Sequence, residues 1–228
     1  MKTAHCLMHV PFEGPGVFQA SLERQGYQVL RQLVPEHGLP PELGDFLLLM
    51  GGPMSVNDSD PWLSEELVYV QAALSKNIPI VGVCLGSQLL TQAMGNPVTP
   101  RDHFEIGMMP IILSEEGQED PVFKTMPRKF DVFQWHGEGF ELPPNTVHLA
   151  GSERDPVQAY RYGTSVYALL FHLELDATGV QELCQQCPDD VTRSGLSPEA
   201  IMSRALPAFP QLHACADRLI THLTSASL

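Results

Sequence analysis

Ile78-Pro79-Ile80-Val81-Gly82-Val83-Cys84-Leu85-Gly86-Ser87-Gln88 is the stretch whose reading decides the fold. An apolar, strand-like run ends abruptly in a cysteine flanked by small residues, and a helical pattern from Leu85 to Met94 follows it, closed by Gly95. A strained strand-turn-helix junction needs small neighbours so that the backbone can turn sharply, and it leaves the side chain at the turn pointing into an open cleft. Cys84 is that side chain.

Outward from this junction, strand-like runs recur at Ala4 to Val10, Gln28 to Val34 and Phe46 to Met50. Helical patterns separate them, at Val17 to Gln25 and at Trp62 to Lys76, the latter opened by Asp60-Pro61. Strands alternating with helices imply a mostly parallel sheet covered on both faces, with ligands at the carboxyl ends of the strands. From Gly107 to Phe171 the strand candidates are closely spaced: Met108 to Leu113, Phe130 to Trp135, Val147 to Ala150, Val157 to Tyr162 and Val166 to Phe171. Some of these are expected to be antiparallel, with Tyr162-Gly163-Thr164-Ser165 as a turn between two of them. After Glu174 the strand signal stops, and Thr178 to Cys187, Pro198 to Ala205 and Pro210 to Leu223 read as a helical tail. The expectation is one domain over 1–228, with a core to about residue 176 and a helical extension beyond it.

The chain of 228 residues, 43% hydrophobic, is long enough to bury a sizeable core. Its 13 Lys+Arg against 27 Asp+Glu, a formal charge of -14, disfavour a nucleic-acid backbone as partner. No run approaches the roughly 18 apolar residues of a membrane span, and Met1 to His5 lead into strand-like sequence rather than a signal peptide. Five cysteines argue against a disulfide framework and for a reducing, cytoplasmic setting. Cys184-x-x-Cys187 lacks the second pair of ligands a structural zinc site wants, so no metal is expected. No Gly-rich phosphate loop of the Walker type occurs, and no cofactor is called for.

A catalytic cysteine needs a helix N-terminus, a basic partner or both to become a thiolate. Cys84 opens a helix. The second ingredient lies in Ala168-Leu169-Leu170-Phe171-His172-Leu173-Glu174, at the end of a strand-like run. On a strand, residues i and i+2 share a face, so Glu174 is placed to orient the His172 imidazole and stabilise its charged form. A cysteine after a buried strand is often only core, and a His beside a Glu often only a surface pair. Each makes the catalytic reading of the other preferable. A third segment, Met50-Gly51-Gly52-Pro53-Met54-Ser55-Val56, follows an apolar strand, and its paired glycines let backbone N–H groups face a cleft. Gly52 and the amide after the nucleophile, that of Leu85, are the candidate donors to an oxyanion.

In their order and separation these three segments resemble those of the class I, triad-type glutamine amidotransferases, over about the first 175 residues. The resemblance implies a doubly wound, flavodoxin-like α/β fold. It also implies hydrolysis of the side-chain amide of glutamine to glutamate and ammonia through a cysteinyl thioester. Carried over by position, Cys84 is the nucleophile, His172 the base, Glu174 its orienting acid, and Gly52 and Leu85 the oxyanion donors. Gln88, one turn after Cys84, matches the glutamine that holds the substrate's amino-acid end. Glu105-Ile106-Gly107 resembles the family's Glu-aromatic-Gly stretch. Gln134-Trp135-His136-Gly137 resembles a loop whose backbone binds the same end of glutamine, which adds Trp135 and His136 as substrate-binding candidates. Leu170 and Leu173 replace the Gln and Pro of the common Gln-Phe-His-Pro-Glu motif, and Glu138 stands where relatives often have Asp.

The resemblance is strongest to stand-alone chains related to the glutaminase domain of GMP synthase. Three functions follow from it: a glutaminase feeding ammonia to a partner synthetase, a self-sufficient hydrolase of other γ-glutamyl peptides or amines, and a non-catalytic regulatory protein with the same fold. The intact triad argues against the third.

Overall fold

The strand-helix alternation of the first half builds β1 (Lys2–Met8), α1 (Val17–Arg24), β2 (Tyr27–Leu33), a one-turn α2 (Val34–His37), β3 (Phe46–Leu49), α3 (Pro61–Ser75), β4 (Ile80–Val83) and α4 (Leu85–Ala93). The second half continues with β5 (Val98–Leu113), a short α5 (Glu115–Glu119), β6 (Lys129–Phe140), β7 (Thr146–Gly151), β8 (Ala159–Tyr162) and β9 (Val166–Leu169). Four helices follow among the described residues: α6 (Ala177–Gln186), α7 (Pro188–Ser194), α8 (Pro198–Ala205) and α9 (Phe209–Ser225). This computed structural model describes residues 2–225; Met1 and residues 226–228, at the two ends of the expected domain, lie outside the described residues.

The nine strands of the described residues join one sheet in the order β2-β1-β3-β4-β9-β8-β7-β5-β6. The five from β2 to β9 are mutually parallel, and the antiparallel remainder is reached through the β9-β8 hairpin. The expected turn at Tyr162-Gly163-Thr164-Ser165 makes that hairpin, with Gly163 at φ 57.

Alternation along the central strands divides the core. Leu48, Val81, Val83 and Leu169 face α1 and α9, packing on Phe18, Leu22, Leu212 and Leu219. Leu47, Leu49, Ile80 and Ala168 face α3 and α4, packing on Leu63, Val70, Leu89 and Leu90. Parallel strands buried on both faces read as continuous apolar runs, which is how these appear in the sequence. A third cluster puts Ile106, Phe133 and Trp135 under α6, α7 and α8. Among the described residues, no helix is long and apolar enough to cross a membrane.

Three expectations are corrected. The strand read as Met108 to Leu113 begins at Val98, because its first half is polar, contains Pro100 and is broken by a register shift between Pro100 and Glu105, a pattern that hides strand character. The tail holds one more helix, α7, opened by Pro188 and stopped by Gly195 in the left-handed region at φ 68. The run expected to stay extended to Phe171 leaves the ladder after Leu169. Leu170 N–H then donates to Gln158 O at 2.8 Å and His172 N–H to Phe133 O at 2.8 Å, so the chain crosses from β9 toward β6.

Candidate active site

The β4-to-α4 junction is strained as its sequence demands. Cys84 has φ 50 and ψ -112, a left-handed conformation unusual for a side chain larger than glycine and common at sites where strain is functional. The small neighbours explain why the backbone reaches it. A Cβ on Gly82 would stand 2.5 Å from Gly86 O, and one on Gly86 only 2.0 Å from Leu49 O, so strand and helix approach closer than any other residue permits. Cys84 N–H donates to Leu169 O at 2.8 Å, which ties the elbow to β9, and Ser87 Oγ–H donates to Cys84 O at 2.6 Å. Cys84 as a whole is 7% exposed, and its thiol directs its hydrogen to Trp135 O at 3.5 Å.

His172 arrives from the neighbouring strand's extension. Its Nδ1 lies 2.7 Å from Glu174 Oε1, and both side chains are buried. Contact is made from irregular backbone rather than from the strand face that the i, i+2 argument assumed. Burial opposes the charge on His172. The Glu174 carboxylate and hydrogen bonding with Cys84 and Glu174 outweigh it and hold the pKa well above the ordinary value. Nε2, on the other edge of the ring, is buried without a conventional partner, and the Cys84 thiol is among the groups that raise the pKa of the ring.

A cleft of about 320 Å³ opens over this group, lined among others by Gly52, Cys84, Gln88, Trp135, His136 and Glu138. Gln88 is buried on the first turn of α4 and donates from Nε2 to Glu138 O at 3.3 Å, while Ser55 Oγ–H donates to the Glu138 carboxylate at 2.9 Å. Trp135 stacks on Phe133 and donates from Nε1 to Asp190 Oδ2 of α7 at 3.1 Å. His136 Nε2 stands 3.3 Å from Glu105 Oε2. Burial favours a neutral Glu105, but hydrogen bonds from His136, Ser152 and Gln158 keep its pKa below the usual carboxylate value. The Gly52 N–H has no partner among the described residues, and Leu85, first in α4, has an N–H that no helical carbonyl reaches. Leu85, His172 and Glu174 lie behind the lining of the cleft.

The model of glutamine amidotransferase class-I matches residues 26–185. The chain belongs to the class I glutamine amidotransferases. This amidotransferase is 30% identical over 196 residues to the glutamine amidotransferase-like protein YfeJ of Salmonella typhimurium, covering 82% of each. It is 34% identical over 135 residues to the glutamine-hydrolysing GMP synthase of Thermosipho melanesiensis, covering 58% of this chain but only 24% of that enzyme. Among solved structures, a glutamine amidotransferase from Methylobacillus flagellatus superposes with a TM-score of 0.89 at 29% identity, over 99% of this chain and 95% of that one. One from Thermotoga maritima, TM-score 0.89 at 24% identity and 98% of each chain, agrees in fold.

All eight site residues expected of the amidotransferase fall in or directly behind this one cleft. The sequence reading missed three further groups there. Glu13 lines the cleft, is 7% exposed, and has its pKa pushed up to about 7, chiefly by burial, with the His172 charge acting against it. His9 and Glu66 form a buried pair behind Gly51. Cys187, Asp190 and Arg193, at the start of α7 and along it, supply one wall. The Gly-Pro-Gly turn after Glu13, at the carboxyl end of β1 where such sheets bind ligands, was an available signal for the first.

The remaining thiols are set apart by their surroundings. Burial raises the pKa of Cys6 and Cys184, and lifts Cys187 and Cys215 to about 11. All five cysteines are free.

Proposed function

We propose that this chain hydrolyses the side-chain amide of glutamine to glutamate and ammonia, with Cys84, His172 and Glu174 as its catalytic triad. The observation that carries the reading is the strained Cys84 at the mouth of α4, served by a buried His172-Glu174 pair joined at 2.7 Å. Cys84 sulfur attacks the γ-carbonyl carbon, and the amides of Gly52 and Leu85 take the negative charge that develops on its oxygen. His172 passes its proton to the departing nitrogen, the C–N bond breaks, and a γ-glutamyl thioester remains. A water molecule, giving its proton to His172, then attacks the thioester carbon and releases glutamate and the thiol. Gln88, Trp135 and His136 hold the amino-acid end of the substrate.

Delivery of the ammonia to a synthetase partner is supported by the likeness to glutamine-hydrolysing GMP synthases. Self-sufficient hydrolysis of larger γ-glutamyl amides or peptides is the second reading, favoured by the extra wall that Cys187, Asp190 and Arg193 give the cleft beyond the residues matched by the family model. Either way residues 1–228 act as one domain, in the cytoplasm. The test is ammonia release by the purified chain from glutamine and from γ-glutamyl peptides and amines, with Cys84→Ala as control. Release that persists in the variant overturns the assignment, and stimulation by an added synthetase separates the two readings.

A further inference from the structure

Behind the cleft a second His-Glu pair is buried where the mechanism above has no use for it. His9, just past β1, is 2% exposed, and Glu66, on α3, is fully buried. The His9 Nε2 lies 3.1 Å from both oxygens of Glu66, its Nδ1 lies 3.0 Å from Gly51 O, and its ring stacks on Trp62 at 5.5 Å. Both of the groups facing the ring are hydrogen-bond acceptors, so the arrangement is satisfied by a ring carrying hydrogen on both nitrogens. A buried ion pair is an expensive way to stabilise a core, since packed apolar residues of similar volume do as well or better.

Its geometric consequence falls on Gly52. The carbonyl of Gly51 and the N–H of Gly52 belong to one peptide plane, and no peptide bond among the described residues is cis. In a trans unit the two point in opposite directions, so fixing the carbonyl fixes the N–H. With Gly51 O turned back onto His9, the Gly52 N–H points away from the His9 ring, and Gly52 and Cys84 both line the cleft. Contacts hold Gly52 in place as well. A Cβ there would meet Leu85 Cδ2 at 2.9 Å and His9 Cβ at 3.0 Å, so His9 packs against the same glycine whose peptide it orients.

We infer that His9, held by Glu66, is a positioning residue that aims the Gly52 amide at the developing oxyanion. The inference rests on the proposed hydrolysis through Cys84. Gly-Gly at this place leaves the peptide free to rotate, and a ring clamped by a buried carboxylate removes that freedom. The ring contributes to the transition state through the amide, without touching substrate.

The experiment compares wild type with His9→Phe, which keeps a ring and loses the donor, His9→Asn, which offers an amide donor near the position of Nδ1, and Glu66→Gln. Three quantities are read for each: kcat and KM for glutamine, the rate of Cys84 alkylation by iodoacetamide, which needs no oxyanion donor, and the circular dichroism spectrum. A lost oxyanion donor costs about 10²- to 10³-fold in kcat. The expected result for a folded His9→Phe is a fall approaching that range, with KM and the alkylation rate changed by no more than about threefold, and partial recovery in His9→Asn. Undiminished kcat in folded His9→Phe overturns the inference, and so does a parallel loss of kcat and alkylation, which means general damage to the site. Should His9→Phe fail to fold, Glu66→Gln decides: a lower kcat with unchanged alkylation supports the clamp, and an unchanged kcat overturns it. Wild-type protein that releases no ammonia from any γ-glutamyl amide brings down the parent reading and the clamp together, whereas normal wild-type turnover with an equally active His9→Phe brings down the clamp alone.

Discussion

Glu13→Gln is expected to stabilise the fold above neutral pH while doing little in mild acid. The Glu13 carboxyl lies under Gly51, in contact range of its Cα and close to the His172 ring, and burial lifts its pKa from 4.5 to about 7. In the folded protein the proton is therefore bound more tightly than in the unfolded chain. Below pH 4.5 both states are protonated and the site costs nothing; the penalty grows as pH rises between 4.5 and about 7 and is complete above that. At about 1.4 kcal/mol per pKa unit, the full penalty is on the order of 3 kcal/mol. Glutamine has the same shape without the charge, so the variant should gain up to about that amount at pH 8. For a chain of this length the gain is a rise of roughly 6 to 12 °C in Tm. Thermal and urea unfolding of both proteins at pH 5 and pH 8 measure it, and the difference between the two proteins cancels the titrating groups that are not coupled to Glu13. A variant less stable than wild type at pH 8, or one with the same gain at both pH values, refutes the reasoning.

Glu174→Gln should lower kcat by less than Cys84→Ala does, because an orienting residue is partly replaceable. The Glu174 charge helps hold the His172 pKa up, so the alkaline limb of the rate profile should move to lower pH in that variant; a pH-rate profile with an unmoved limb contradicts the pairing. A glutamine-like diazoketone should label Cys84 and none of the other four cysteines, whose thiols burial keeps protonated, and an adduct on Cys6 or Cys215 by mass spectrometry contradicts the assignment. Gly86→Ala drives a Cβ onto Leu49 O and should cost about 1–3 kcal/mol or more in unfolding experiments, with loss of activity from a displaced elbow.

The parallel half of the sheet was legible because its inner strands β3, β4 and β9 are buried throughout and read as unbroken apolar runs, while Gly16, Pro61 and Gly95 mark the bounds of the helices between strands. The β4-α4 elbow was legible because only small residues tolerate its close approach, and Gly82 and Gly86 are where that tolerance is needed. The first half of β5 was not, since a strand with Thr99, Arg101 and Asp102 pairing through an irregular register carries no apolar alternation. The His172-Glu174 pair was found by an argument about strand faces although the strand ends at Leu169. The two side chains meet because the chain bends toward Phe133. His9 and Glu66 stayed hidden for a different reason. They stand 57 residues apart, one in a loop and one on a helix, and only the approach of α3 to the loop after β1 makes them partners.

Acid quenching of the purified chain during turnover of glutamine, followed by peptide mass spectrometry, tests the central claim most directly. The account predicts a γ-glutamyl adduct on Cys84 that is absent in Cys84→Ser. Steady ammonia release with no adduct on that cysteine, or with the adduct on another, would contradict it.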